Sequence, residues 1–496
     1  MARLRGAVLA AFVAVTAGAT LHSAAADTVS VPPPDPTLPG VVVGAPAAWA
    51  QGATGHGVDV ALLDTGVTPV PGLNGANKLV YGPDLSFDSQ NPDLANWDGY
   101  GHGTALAGII AGNDGVAGGY KGIAPDARLV SVKVGASNGA TDVSQIIAGI
   151  DWVTQHAHDP GMNIRVLNIS LGTSSTQSYI LDPLAHAAEQ AWKQGIVVVV
   201  ASGNDRATTR ALAMPAADPF VLAVGADDTH GTASLSDDTV ASFSQRGTLL
   251  RRADVVAPGT YVMGLLSPGS TLANANPNAI FGNRFLRGSG TSQAAAVTSG
   301  VVADLLSARP NLTPDQVKRI LTNTATGLGD YWGYDGNGVV QLPAALAAPN
   351  PGPSRQWLYL PSNGNGSLDA SRGGNRVTAG GVTLSGEQDI FGQPWNSRAI
   401  SDAEEAGSTW SGGVYNGSTW SGSTWSGSTW SGSTWSGSTW SGSTWSGSTW
   451  SGSTWSGSTW SGSTWSGSTW SGSTWSGSTW SGSTWSGNDW LGATWT

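Results

Sequence analysis

Five stretches of this chain are nearly unbroken runs of small and branched apolar residues. They are GVDVALLD ending at Asp64, ARLVSVKV ending at Val134, IRVLNISL ending at Leu171, GIVVVVAS ending at Ser202 and FVLAVGA ending at Ala226. A strand with one wet face alternates apolar with polar residues, whereas a strand covered on both faces does not. Helical stretches fall between the runs, at 142–156 and 181–193. Alternation of buried strands with helices predicts a three-layer α/β domain over residues 40–348: a mostly parallel sheet with helices on both faces.

A parallel sheet gathers reactive groups in the crevice at the carboxyl ends of its strands. Asp64 closes the first run, in ALLDTGV. His102 lies in GHGTALAGII, a glycine turn leading into an apolar helix, and Ser292 lies in GSGTSQAAAV, a second such turn. A serine hydroxyl becomes a nucleophile when an imidazole takes its proton, and a buried carboxylate holds that imidazole in the useful tautomer. Asn204, after the run in VVVVASGND, offers a side-chain amide to a developing oxyanion, with the Ser292 backbone N–H at a helix start as second donor. Singly, each residue has an ordinary reading: a helix cap, a turn histidine, an N-cap. Their joint placement is what points to acyl transfer.

Residues 40–348 resemble the catalytic domain of the subtilisin-like serine peptidases. DTG at 64–66, HGT at 102–104, ASGN at 201–204 and GTS at 290–292 match that family's motifs. So do AVGA at 223–226, VAPG at 256–259 and GYDGNGVVQLPAAL at 333–346. The resemblance implies a secreted serine endopeptidase acting on proteins or peptides, with Asp64, His102 and Ser292 as triad and Asn204 as oxyanion donor. It further implies that Ser170, Leu171 and Gly172 pair with an extended substrate, and that Ala201, Ser202 and Gly203 line the opposite wall. Two departures follow the nucleophile: Gln293 and Ala296 stand where the family usually has Met and Pro. Both favour helix, so the helix is expected to survive.

The first 26 residues carry Arg3 and Arg5, an apolar run over 7–19, and Ala24 and Ala26 as small closing residues. This is the pattern of a secretory signal peptide and implies an extracellular or cell-surface location. Residues 27–39 form a short segment, too few for the folded inhibitory propeptide usual in secreted members of the family. The chain has no cysteine, so stability must come from the core or from bound ions. No cofactor is assigned. Calcium is common in the family, and Asn113 and Asp114 lie in a loop that could offer oxygens, but the six or more that the ion needs cannot be assembled. His56, His156 and His158 lack the partners of a metal site. With 33 acidic against 22 basic residues, the charge gives no nucleic-acid footprint, and no later run is long enough for a transmembrane anchor.

Residues 349–406 are rich in turn formers and read as a linker, with a small β element at 357–360. From 407 to 496 a five-residue unit, STWSG, repeats, and 17 of the 24 tryptophans fall there. An odd period sends successive indoles to opposite faces of a strand, and a helix would spread them around its axis. A flexible low-complexity tail is expected, with stacking of indoles on sugar rings, or self-association, as its candidate uses. An alternative function stays open at this point: a wall-binding or self-associating protein in which the tail is the main working element.

Overall fold

The computed structural model describes residues 10–11, 34–89, 94–205, 211–330, 333–352, 356–379, 382–411 and 413–419, with short strands of the repeat between 425 and 495. The five apolar runs form strands: β1 (Asp59–Asp64), β3 (Arg128–Lys133), β4 (Ile164–Ile169), β5 (Val197–Ala201) and β6 (Leu222–Asp228). They join β2 (Leu79–Asp84), β7 (Thr239–Val240) and β8 (Val255–Pro258) in one eight-stranded sheet. The order is β2-β3-β1-β4-β5-β6-β7, with β8 also paired to β6, and every pairing is parallel except β6 with β7. All residues of β1 and β5 are buried, as two covered faces require.

The chain leaves β1 toward β2 and β3 on one side and later fills β4, β5 and β6 on the other. Strand order therefore reverses between β1 and β4, and an open crevice forms beyond their carboxyl ends. Helices α1 (His102–Ala111) and α4 (Thr291–Ala308) pack on each other, as do α2 (Val143–His156) and α3 (Pro183–Lys193). Their starts are written in the sequence. Asp142 and Gln145 close a capping box on α2, and Asp182 accepts from Leu184 N at 2.9 Å with Pro183 at the first helical position of α3. Helix α4 runs 18 residues through Gln293 and Ala296, so both substitutes are accommodated.

The segment expected as a linker, 349–406, forms a belt: its described residues pack onto the α2–α3 face. Helix α5 (Leu368–Arg372) meets α2, and α6 (Ser397–Glu405) meets α3. Leu368, Trp395 and Tyr415 join the main core cluster, and burying a side chain such as Leu368 contributes roughly 1.5–3 kcal/mol. The expected β element is a 3₁₀ turn, Gln356–Leu358. The belt reaches into the start of the repeat: Trp410 Nε1 donates to Ala148 O at 2.8 Å, and the Tyr415 hydroxyl donates to Asp151 Oδ2 at 2.9 Å. The reason is simple. Turn-rich composition forbids long helices but does not prevent a coil from docking through a few large side chains.

Further along the repeat, three-residue strands pair in parallel with the strand 20 residues on, as Thr429–Ser431 does with Thr449–Ser451. The residues between these strands, and the leader and short segment over 1–9 and 12–33, lie outside the described residues, and with them part of the expected flexible tail and most of the expected signal peptide.

Candidate active site

Asp64 ends β1 at the reversal of strand order and is buried. Its Oδ1 accepts from Thr65 N and from His102 Nδ1, each at 2.8 Å. Its Oδ2 has no partner among the described residues. His102 is the first residue of α1, entered through Gly101 at φ 101°, a backbone conformation that glycine adopts without strain. With Nδ1 donating to Asp64, the lone pair of the ring lies on Nε2, which is where a general base needs it. Burial alone would lower the imidazole pKa; the charge of Asp64, its hydrogen bond and the charge of Asp98 overturn that, and the net shift is upward.

Ser292 is the second residue of α4, so its backbone N–H belongs to the unbonded first turn of the helix. Its hydroxyl donates to Ser170 O at 3.3 Å, while the Ser170 hydroxyl donates to Ser292 O at 3.2 Å. This reciprocal pair ties the head of α4 to the segment leaving β4. The serine proton is therefore directed to Ser170, and a turn about the Cβ–Oγ bond re-aims it. Asn204 is held the opposite way round. Its Oδ1 accepts from Thr291 N at 2.8 Å and from Thr291 Oγ1 at 3.0 Å, so its NH2 group is turned outward as a donor. A Cβ on Gly290 would stand 3.4 Å from that nitrogen. The amide thus sits beside the turn that leads to the nucleophile.

The two walls differ in how their backbones are used. Thr173 pairs with Met214 in both directions, at 2.9 and 3.0 Å. Among the described residues, the backbone groups of Leu171 and Gly172 make no hydrogen bond, leaving a short open edge for a chain to pair with. Ala201, Ser202 and Gly203 form a closed wall: Ser202 N donates to Val224 O, Ser202 O accepts from Ala213 N, and Gly203 N donates to Thr291 Oγ1 at 3.1 Å. Gly203 has φ 109°, and a Cβ there would stand 1.4 Å from Gln245 Oε1, so only glycine fits. Gln293 folds back beside Gly288 and Gly290, its Oε1 buried and unpartnered among the described residues.

Three further residues shape the site and were given no role from the sequence: Thr65 and Thr291, which lie within the DTG and GTS motifs, and Asp98. Asp98 gave one signal, an acidic residue just ahead of a helix start. The loop at Asn113 and Asp114 does not fit a cation. Asn113 Oδ1 accepts from Gly115 N, Asp114 Oδ2 accepts from Tyr120 N at 2.7 Å, and Asp114 Oδ1 accepts from Arg284. No group of three or more metal-ligating side chains occurs among the described residues. His156 Nδ1 bonds to Trp152 O and its ring stacks on Trp152, a structural role.

A mostly parallel sheet with an Asp–His pair at the end of one strand, and a serine and an amide at the head of a nearby helix, defines an α/β protein with the residue types of an acyl-transfer site. The particular family is shown by comparison: residues 55–356 match the subtilase family, and the chain belongs to it. It is 38% identical over 280 residues to serine protease AprX of Bacillus subtilis (strain 168), covering 55% of this chain and 62% of AprX. Over 306 residues it is 38% identical to subtilisin Savinase of Lederbergia lenta, covering 61% of this chain and 96% of that protein. Among solved structures it resembles fervidolysin from Fervidobacterium pennivorans, a keratinolytic enzyme related to subtilisin. The TM-score is 0.51 at 32% identity, over 63% of this chain and 46% of fervidolysin. The chain thus spans under two thirds of AprX and under half of fervidolysin, and the family match ends at Gln356, where the belt begins.

Proposed function

We propose that this protein is a secreted serine endopeptidase that cleaves peptide bonds through an acyl-enzyme. The observation that carries the reading is the 2.8 Å bond between Asp64 and His102 Nδ1, which leaves Nε2 as the acceptor of the ring. His102 takes the Ser292 proton as Oγ attacks the scissile carbonyl; Asp64 stabilises the imidazolium that forms. Negative charge on the carbonyl oxygen meets two donors, the Asn204 amide and the Ser292 N–H at the head of α4. His102 then returns the proton to the leaving amine, and water repeats the cycle on the ester. The open edge at Leu171 and Gly172 receives the substrate's extended backbone, while the wall of Ala201, Ser202 and Gly203 bounds the side-chain pocket before the scissile bond. Export is supported by the leader pattern, and no helix of the described residues is long and apolar enough to cross a membrane.

A phosphonofluoridate serine reagent tests the reading. It should label the wild type and leave Ser292→Ala unmarked, with casein hydrolysis falling by about 10⁶ in kcat, as expected when a triad nucleophile is removed. Equal labelling of the two proteins would sink the assignment. The repeat is proposed as a tether to polysaccharide or to other copies of the chain; retention of full-length but not repeat-deleted protein on cell-wall polysaccharide tests the first use, and size-exclusion of the same pair the second.

A further inference from the structure

Asp98 lies four residues ahead of His102 and is wholly buried. Its Oδ1 accepts from Gly101 N at 2.6 Å and from Thr65 Oγ1 at 2.8 Å, and its Oδ2 accepts from Thr104 N at 2.7 Å. One carboxylate thereby binds the entrance and first turn of the helix that carries the imidazole. Its own carbonyl accepts from Ser267 Oγ at 2.8 Å, which fixes the residue from the other side.

Thr65 connects Asp98 to the triad carboxylate. Its hydroxyl oxygen accepts from Gly103 N at 3.0 Å, and its single proton has two carboxylates within reach: Asp98 Oδ1 at 2.8 Å and Asp64 Oδ1 at 3.2 Å. The shorter contact holds the proton. Asp64 Oδ1 is then shared by only two donors at close range, Thr65 N and His102 Nδ1. Without Asp98 the hydroxyl would turn fully to Asp64, share its charge, and weaken its grip on the imidazole.

We propose that Asp98 is a positioning residue for the reaction assigned above: its carboxylate seats the head of α1 and, by holding the Thr65 proton, strengthens Asp64 as the partner that makes His102 basic. The inference rests on the peptidase reading. Burial pushes the Asp98 carboxyl upward, while hydrogen bonds from Thr104, Gly101 and Thr65 oppose the shift. Its backbone contacts are both N–H donors, which suits the anion. The other ionisable groups around this network leave the argument intact. Tyr100 is kept neutral by burial and by the charges of Asp64 and Asp98, and the Lys133 ammonium is already paired with Asp88 at 3.0 Å and with two carbonyls.

The test is the pH dependence of kcat/KM on a chromogenic peptide for wild type, Asp98→Asn and Asp98→Glu. The acid limb reports the general base of the free enzyme. Asp98→Asn should move its midpoint down by on the order of half a unit, about threefold in proton affinity. Asp98→Glu keeps the charge and should hold the wild-type midpoint even where kcat falls. A midpoint unchanged in Asp98→Asn, with only the rate or the stability lowered, would reduce Asp98 to a helix cap and overturn the proposal. Proton NMR titration of the His102 ring in a Ser292→Ala background, with and without Asp98→Asn, reads the same shift without turnover. If wild type neither hydrolyses peptide nor takes up the serine reagent, the peptidase reading fails by itself, and the NMR titration still decides the role of Asp98.

Discussion

The crevice and the belt both bury carboxyl groups, and they treat them in opposite ways. In the crevice, Asp98 has donors on both oxygens, and Asp64 has two close donors on Oδ1, Thr65 N and the imidazole, with Oδ2 unpartnered among the described residues. Under the belt, donors are scarce. Asp151 has the hydroxyls of Tyr415 and Thr409, Glu189 has Ser362 N on Oε1 and the Asp218 carboxyl beside it, and Glu404 Oε1 is unpartnered among the described residues. Burial consequently pushes Asp151 up to about 8, and burial with the neighbouring charge of Asp218 takes Glu189 to about 8; Glu404 rises as well. His186, packed 3.4 Å from Glu404, is driven down by burial and stays neutral. The same residue types thus meet several donors where chemistry is proposed and stay uncharged, with fewer donors, where a segment is merely held. Burial raises Asp98 as well, against its donors, so what differs between the regions is how much of that rise the donors offset.

The contrast breaks first at Asp64. Asp64→Asn retains the shape but removes the charge and favours the wrong imidazole tautomer, so kcat should fall by about 10⁴ with the fold intact. Normal circular dichroism with full activity would show that the crevice does not depend on a fixed charge at all. The next effect lies on the belt, at the exception to its neutrality. Arg372 and Asp142 are both wholly buried and bonded at 2.7 Å, and Arg372 also donates to Gly386 O and Gln388 O. Arg372→Met strands Asp142 and should cost about 3–5 kcal/mol in urea unfolding, best measured on a Ser292→Ala background to avoid self-cleavage. A cost below about 0.5 kcal/mol would return the segment to the status of a loose linker.

Smaller again is Asn204→Ala. Thr291 already satisfies the Asn204 carbonyl, so the remaining function of the side chain is donation from its NH2 group. Loss of one oxyanion donor should lower kcat by about 10²–10³ and leave KM nearly unchanged. A change confined to KM would move Asn204 from transition-state to ground-state binding.

Why was one region legible in the sequence and the other not? The sheet was, because a strand covered on both faces must be apolar at every position, as β5 is. The places of Asp64, His102 and Ser292 in the fold were, because each sits at a strand end or in a glycine turn ahead of a helix. The belt has neither property. Its fixed points, Arg372, Trp395, Trp410 and Tyr415, are single residues separated by turn formers, and α5 is five residues long. No periodicity reports such docking, since each anchor is chosen by the α2–α3 face it meets rather than by its neighbours in the chain. Asp98 escaped for a related reason: a lone loop carboxylate looks like any cap until the Thr65 hydroxyl is seen to touch two carboxylates at once.

The finest probe of the comparison is Asp151. Its folded pKa of about 8 lies above the roughly 3.9 of an unfolded aspartate. The folded state therefore holds a proton that the unfolded state has lost across this window. The stability it contributes is complete below about pH 4 and is lost as pH rises through about 8. The groups facing it are Tyr415 and Thr409, which pull its pKa down through hydrogen bonds, and Glu404, whose own carboxyl is pushed up partly by Asp151. Asp151→Asn keeps an acceptor for the Tyr415 hydroxyl and removes the titration. Urea unfolding of the Ser292→Ala protein should show the two forms nearly equal at pH 4. The Asn form should be the more stable by about 1–2 kcal/mol at pH 9, discounted from the full linkage because local relaxation and water entry soften a buried charge. A difference that fails to grow with pH would mean that Asp151 is ionised under the belt after all, and that donors are not what separates the two regions.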